Sequence, residues 1–133
     1  MEISTNELGY EEISLYDERT KRAGTYYAAT IEVSYEEDND QFNIFLWKAG
    51  DFIESIYDDW DMEEWLFVKL KHGKDLVELC CTDAGIKPPE GQYHYHHVFD
   101  VLYRIYNGDK DAFTKLKKLM ERRNFPHKFD YYY

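Results

Sequence analysis

The sequence contains no apolar run near the roughly 20 residues of a membrane-spanning helix. Nor does the segment from Met1 to Thr25 contain the apolar stretch of about 7 or more residues that marks a secretory signal peptide. The only cysteines, Cys80 and Cys81, are adjacent, and neighbouring cysteines rarely form a disulfide with each other. We therefore expect reduced thiols in a cytoplasmic protein, of a bacterium or, if a phage encodes the chain, of its host cell.

Basic side chains are scarce, since 16 Lys and Arg stand against 27 Asp and Glu and give a formal net charge of −11. Nucleic-acid phosphates and anionic membranes are bound by basic surfaces, so the sequence predicts neither as a direct partner. The hydrophobic content of 44% and the aromatic content of 18% are too high for a disordered acidic tail. We expect residues 1–133 to form a single acidic domain with its own core.

Common catalytic motifs are also missing: there is no phosphate-binding Gly-x-x-x-x-Gly-Lys, no Gly-x-Gly-x-x-Gly and no Gly-x-Ser-x-Gly. The adjacent carboxylates at 58–59 and 63–64 could act as acid and base or bind Mg²⁺, but their surroundings distinguish neither pair. His94 and His97 have a spacing that suits zinc, without a second pair of ligands. The sequence thus predicts no catalytic residue, no metal and no cofactor, and favours a protein that is not an enzyme.

Apolar residues with a two-residue period predict strands in the first half of the chain. The predicted strands are Ile13–Asp17, Tyr27–Tyr35, Phe42–Trp47 and Trp65–Leu70. A charged loop is predicted over Asp17–Arg22 and a turn over Glu36–Gln41. Because the links between these strands are short, we expect an antiparallel meander.

Helical spacing of apolar residues begins after Gly50, where Asp51 and Glu54 can form a capping box. Leu76–Ala84 fits a helix that Asp75 caps, or a strand paired with Trp65–Leu70 through a turn at His72–Asp75, and the helix is favoured. Helices are predicted at 51–60, Leu76–Ala84, Tyr93–Tyr106 and Phe113–Arg123. The expected fold is α+β: an antiparallel sheet of about four strands with one inserted helix, then two or three C-terminal helices packed on one face.

Negative charge is concentrated in the first half, because residues 1–64 carry a net −14 and residues 65–133 a net +3. The hairpin cluster comprises Glu36, Glu37, Asp38 and Asp40. The second cluster comprises Asp51, Glu54, Asp58, Asp59, Asp61, Glu63 and Glu64, around Trp60. Unpaired like charges repel one another and attract a basic surface, so we expect both clusters to form one acidic pole that binds a partner.

Small size and acidity are typical of phage anti-CRISPR and anti-restriction proteins, nuclease immunity proteins and DNA mimics. We hypothesise an inhibitor whose acidic pole, with Trp60 among its aromatic anchors, sterically blocks a basic nucleic-acid-handling enzyme such as a nuclease. A phage counter-defence protein is slightly favoured over an immunity protein. The simplest alternative is that the acidic surface only keeps the chain in solution.

Two further alternatives come from other parts of the sequence. A ligand-binding or enzymatic domain could use a pocket lined by Tyr93, His94, His96, His97 and Tyr103. A structural or oligomerising module, such as a homodimer, is the other alternative. The terminal Tyr131–Tyr133 either docks against the domain or is available to a partner.

Overall fold

The computed structural model describes residues 1–51, 53–54 and 61–133. Within them the chain forms an antiparallel sheet of six strands whose spatial order is the chain order. The strands are β1 Ser4–Thr5, β2 Glu11–Arg22, β3 Thr25–Glu36, β4 Gln41–Gly50, β5 Asp61–Lys69 and β6 Lys128–Tyr132. β1 to β5 form the predicted meander, and β6 returns from the far end of the chain to pair with β5.

Three helices with described bounds follow β5: α1 Gly73–Ala84, α2 His96–Tyr106 and α3 Ala112–Arg122. Short 3₁₀ turns occupy Glu37–Asn39 and Leu70–His72. In the predicted helix at 51–60, residues 51, 53 and 54 are helical and the others lie outside the described residues. The α+β class is confirmed, with six strands in place of about four.

The core lies between one face of the sheet and the three helices. Alternate strand residues such as Ile31, Ile44 and Leu66 are fully buried against helix residues such as Phe99 and Leu116. Each fully buried side chain of this size contributes about 1.5–3 kcal/mol to folding. The apolar side of the strands and the apolar sides of α1, α2 and α3 therefore pack against each other on this one face of the sheet.

The second strand is longer than predicted, because β2 continues through the segment expected to be a charged loop. Its charged end pairs with β3, with Arg19 opposite Ala28 and Arg22 opposite Thr25. The hairpin then turns at Ala23 and Gly24, whose φ values of 50° and 82° belong to a tight primed turn. Composition misled the prediction, since charged residues are tolerated in a strand whose side chains meet solvent.

Helix α1 confirms the favoured reading of Leu76–Ala84, but it begins earlier than predicted. The expected turn at His72–Asp75 is wrong: the helix starts at Gly73, and Asp75 lies in its first turn. A Cβ at Gly73 would lie 2.3 Å from the Tyr93 hydroxyl oxygen and 3.0 Å from a ring carbon of Phe42. A larger residue at this position would therefore force the side chain of Tyr93 to move. The helix ends at Gly85, with a left-handed φ of 69°, as predicted.

The predicted helix Tyr93–Tyr106 begins later, at His96. The C-terminal tyrosines belong to an element that the sequence analysis missed, because Tyr131 and Tyr132 pair with Glu64 and Glu63 of β5. They are docked through the backbone while more than half of each residue's surface stays exposed.

Candidate protein-binding face

The face of the sheet opposite the helices carries a second set of large side chains. We call it the open face, and it is centred on Phe45, Trp47, Asp61, Glu63, Trp65 and Phe67 of β4 and β5. Strand alternation places these residues opposite the buried positions 44, 46 and 66. None of its four aromatic residues belongs to the core formed by the described residues or packs against it.

Aromatic rings occupy the middle of the open face. Phe45 and Trp65 are direct strand partners, and their rings stack with centroids 5.4 Å apart. Both residues are half-buried. Large aromatic residues outside the core are enriched at the centres of protein interfaces, where they supply contact area at low entropy cost.

One end of the open face is acidic, and we call Trp47, Asp61 and Glu63 the Trp47 patch. The indole of Trp47 donates a hydrogen bond of 3.1 Å to Asp61, and Trp47 and Glu63 are strand partners. Partial burial, followed by the charge of Asp61, raises the pKa of Glu63. The Arg19 guanidinium lies 5.8 Å from the Trp47 ring centroid and brings a cation to this patch.

The two acidic clusters lie at opposite ends of β4, which corrects the expectation of one pole. The hairpin cluster precedes Gln41, whereas Asp51 and Asp61 lie beyond Gly50. A strand of this length spans about 30 Å, so the hairpin cluster lies more than a Debye length at physiological salt from Asp51 and Asp61. Each cluster therefore acts as its own patch. Asp58, Asp59 and Trp60 of the second cluster lie outside the described residues.

Glu64 belongs to the second cluster in sequence but not to the Trp47 patch, because strand alternation turns it to the helix side of the sheet. There its carboxylate accepts a 2.8 Å hydrogen bond from the Tyr133 hydroxyl. Asp51 accepts a hydrogen bond of 3.0 Å from the backbone N–H of Tyr26, and so holds the start of its segment against β3. Glu54 is exposed.

Polar neighbours, and not salt bridges, surround the hairpin cluster. Burial raises the pKa of Glu36, but hydrogen bonds from Asn43, Asn39 and Gln41 and the charge of Lys69 outweigh it and hold that pKa below its usual value. Glu36 thus stays ionised.

The other members of the hairpin cluster are exposed. Asp38 accepts a 2.9 Å hydrogen bond from the Tyr10 hydroxyl. The ion pairs found in the described ranges, 1–51, 53–54 and 61–133, use other acids: Glu11, Asp17, Asp83, Asp109 and Glu121. The described carboxylates of both clusters are therefore left without a lysine or arginine salt bridge.

The open face also holds an acid pair that the sequence analysis missed. Burial, the charge of Glu12 and a hydrogen bond to Glu12 raise the pKa of Glu32 to about 7. Both residues line a cavity of about 520 Å³ that includes Phe45 and Trp65. The sequence contains an indication of this acid pair: Glu32 lies between Ile31 and Val33, in a segment that has no other charged residue from 25 to 35.

The structure separates the five residues of the alternative Tyr/His pocket. Tyr93 and His97 line a cavity of about 510 Å³ beside α1, with ring centroids 5.9 Å apart. His94 is exposed, and neither His96 nor Tyr103 lines that cavity.

His96 has a structural role, because its side chain contacts Glu11 of β2. Its Nε2 lies 2.7 Å from Glu11, which also accepts a hydrogen bond from the Tyr95 hydroxyl. The tyrosine hydrogen bond, followed by the contribution of His96, holds the pKa of Glu11 below its usual value. These contacts fix the start of α2 to β2.

The cysteines are free thiols of α1 that are buried in the core, and burial raises the pKa of Cys80 to about 12. A thiol with such a pKa is not ionised near neutral pH and is a poor nucleophile. In the part of the chain with described coordinates, no three His, Cys, Asp or Glu side chains are grouped to hold a metal ion.

Comparisons with models of protein families, with curated proteins and with solved structures yield no match. Across the described residues, no helix combines the length and the apolar character that crossing a membrane requires.

Proposed function

We propose that this protein is a small acidic inhibitor that binds a basic surface of a nucleic-acid-handling enzyme and blocks it sterically. The observation that carries the proposal is the Trp47 patch, in which a half-buried indole, fixed by Asp61, lies beside Glu63. Aromatic anchors combined with carboxylates that lack salt bridges are suited to a cationic partner.

In this proposal the carboxylates and the aromatic rings of the open face make different contributions to binding. The carboxylates of the Trp47 patch, within a chain of net charge −11, attract the basic surface and speed association. The stacked rings of Phe45 and Trp65 then make apolar contacts with the part of the enzyme surface on which nucleic-acid bases would stack. The inhibitor thus presents carboxylates and flat rings in place of phosphates and bases.

The enzyme that fits this surface is a nuclease or another nucleic-acid-binding enzyme of the cytoplasm. A phage counter-defence protein, of the anti-CRISPR or anti-restriction kind, is the form of the proposal that we favour. A nuclease immunity protein would use the same surface against a toxin. Both forms predict that nucleic acid and this protein compete for one basic surface.

Capture from bacterial lysate, with duplex DNA and RNA as competitors, tests the proposal. We expect nucleic-acid-binding enzymes to be retained by the wild type, released by added nucleic acid, and lost with Asp61→Lys/Glu63→Lys. The control Glu78→Lys/Glu90→Lys changes the net charge equally at exposed positions elsewhere and should retain them. Partners that resist nucleic-acid competition, or that the double variant on the open face still captures, would contradict the proposal.

A ligand-binding domain remains the second candidate because of one observation. The Tyr93 hydroxyl is buried and has no hydrogen-bond partner among the described residues, and Tyr93 lines the cavity beside α1. Leaving a buried hydroxyl unpaired costs about 1–3 kcal/mol, which a bound acceptor would offset. Screening a small-molecule library by thermal shift, with Tyr93→Phe as the control, tests this candidate. Shifts lost in that variant would favour it.

A further inference from the structure

A cavity of about 530 Å³ opens at the end of the sheet opposite the Trp47 patch. Its volume lies within the range of small-molecule sites. Although the chain is acidic, every titratable side chain that lines this cavity is basic, namely Lys69, Lys71, His72, His127 and Lys128, and Phe67 lies beside them.

Strand register brings these side chains together. Phe67 of β5 is the Cα partner of Lys128, the first residue of β6. Lys69 ends β5, and Lys71 follows in the 3₁₀ turn before α1. Two segments about sixty residues apart in sequence therefore place their lysines around one cavity, through the pairing of β5 with β6 and the turn that follows β5.

Within the described residues no salt bridge neutralises these lysines, although the charge of Lys69 helps to lower the pKa of Glu36. Lys69 makes only long contacts, 3.4 Å to the Gln41 side chain and 3.5 Å to the Asn39 carbonyl oxygen. Within the described segments, neither Lys71 nor Lys128 forms a salt bridge. Asp40 lines an adjoining cavity with Lys69 and Lys71 but is paired with neither. Ammonium groups that share a cavity repel one another, and a bound anion would relieve that repulsion.

The histidines add donors to the same cavity. Nδ1 of His127 lies 2.6 Å from the Phe125 carbonyl oxygen, which can only accept, so Nδ1 carries the proton and Nε2 is left for another partner. His72 is the N-cap residue of α1 and makes no capping hydrogen bond with its side chain. The positive end of the twelve-residue helix α1 therefore begins beside the cavity.

We propose that this cavity binds a nucleoside phosphate, with the phosphates on Lys69, Lys71 and Lys128 and the base against the ring of Phe67. The lysines select phosphate, and the half-buried ring selects a planar group. A nucleic-acid polymer is disfavoured, because it would extend from the cavity towards the hairpin cluster or the Trp47 patch. The inference is independent of the proposed inhibition, which uses the opposite end of the open face.

Isothermal titration of the full chain with ATP, AMP, adenosine and inorganic pyrophosphate at low salt tests the proposal. We expect saturable binding of one ATP per chain, weaker AMP binding and still weaker adenosine binding. Lys71→Gln/Lys128→Gln should weaken ATP binding by about tenfold or more, because it removes charge-assisted hydrogen bonds to the phosphates. The matched control Lys87→Gln/Lys118→Gln changes exposed lysines elsewhere and should bind as the wild type.

Phe67→Leu distinguishes the base-binding part of the proposed site from the phosphate-binding part. It should weaken the binding of ATP and leave the binding of pyrophosphate unchanged. No saturable ATP binding, or equal binding by the Lys71/Lys128 variant, overturns the proposal. Tighter binding of a single-stranded oligonucleotide than of ATP through the same lysines would overturn the assignment to a small ligand. Thermal melting of each variant verifies that it is folded.

Discussion

Trp47 and Asp61 are joined across two neighbouring strands: the indole Nε1–H donates to a carboxylate oxygen 3.1 Å away. The contact holds the ring of Trp47 beside the strand position of Glu63. A large side chain that is already fixed loses less conformational entropy when a partner binds. Trp47 is thus prepared for an interface, although it contributes nothing to the core.

Trp47→Ala should separate binding from stability. The residue is half-buried on the open face, so we expect the free energy of unfolding to fall by less than about 2 kcal/mol, whereas the core variant Phe99→Ala should lose about 3–5 kcal/mol. Capture of the basic enzyme should nevertheless be lost. Urea denaturation and the capture assay measure the two effects. A destabilisation equal to that of Phe99→Ala would show that Trp47 is a core residue.

Because the pKa of Glu32 is raised in the folded protein, we expect the free energy of unfolding to fall as the pH rises. Burial, followed by the charge of Glu12, raises the pKa of Glu32 to about 7, so the folded state binds more protons than the unfolded state between the ordinary pKa of a glutamate and this value. Compared with Glu32→Gln, the wild type should lose about 1–2 kcal/mol between pH 4.5 and 8, after allowance for partial solvent screening.

Urea denaturation across this pH range measures the difference between wild type and Glu32→Gln. Glu2→Gln, at an exposed position, is the matched control and should follow the wild type at every pH. A difference between wild type and Glu32→Gln that does not change with pH would show that Glu32 ionises normally in the folded protein.

Gly73 and Tyr93 should show coupled effects on stability. Gly73→Ala would normally favour the first turn of a helix, but its Cβ would lie 2.3 Å from the Tyr93 hydroxyl oxygen. We expect a loss of about 1–3 kcal/mol from overpacking. In the Tyr93→Phe background the loss should be smaller by about 0.5 kcal/mol or more. A double-mutant cycle by urea denaturation measures this coupling, and additive effects would place the clash elsewhere.

The elements that the sequence predicted well are those whose own pattern decides their structure. Alternation at Tyr27–Tyr35 predicts both the strand and its buried face, whereas at Phe42–Trp47 it predicts the strand alone, because Phe45 and Trp47 make the second face apolar as well. The helical stripe from Val98 to Tyr106 does the same for α2. Gly85 stops α1 because a left-handed residue ends a helix locally.

The elements that were missed depend on pairing between distant segments. Lys128–Tyr132 forms a strand because it pairs with the edge of β5. The sequence of this segment does not indicate that it has such a partner. The charged end of β2 is likewise extended by its pairing with β3.

The site was only partly predictable for the same reason. The acidic clusters could be read from composition, but their separation follows from β4 lying between them. The raised pKa of Glu32 needs burial beside Glu12, a contact that forms only when β2 pairs with β3. The basic cavity combines segments from either end of the second half of the chain.

The central claim is that the Trp47 patch recognises a basic nucleic-acid-binding surface, and the rate of association with the captured enzyme tests it most directly. Between about 50 and 300 mM salt we predict a fall of about tenfold or more for the wild type and for Glu78→Lys/Glu90→Lys, because screening weakens electrostatic steering. Asp61→Lys/Glu63→Lys should already be slow at low salt and nearly insensitive to it. Equal rates and equal salt dependence for the Asp61/Glu63 variant and the wild type would contradict the account.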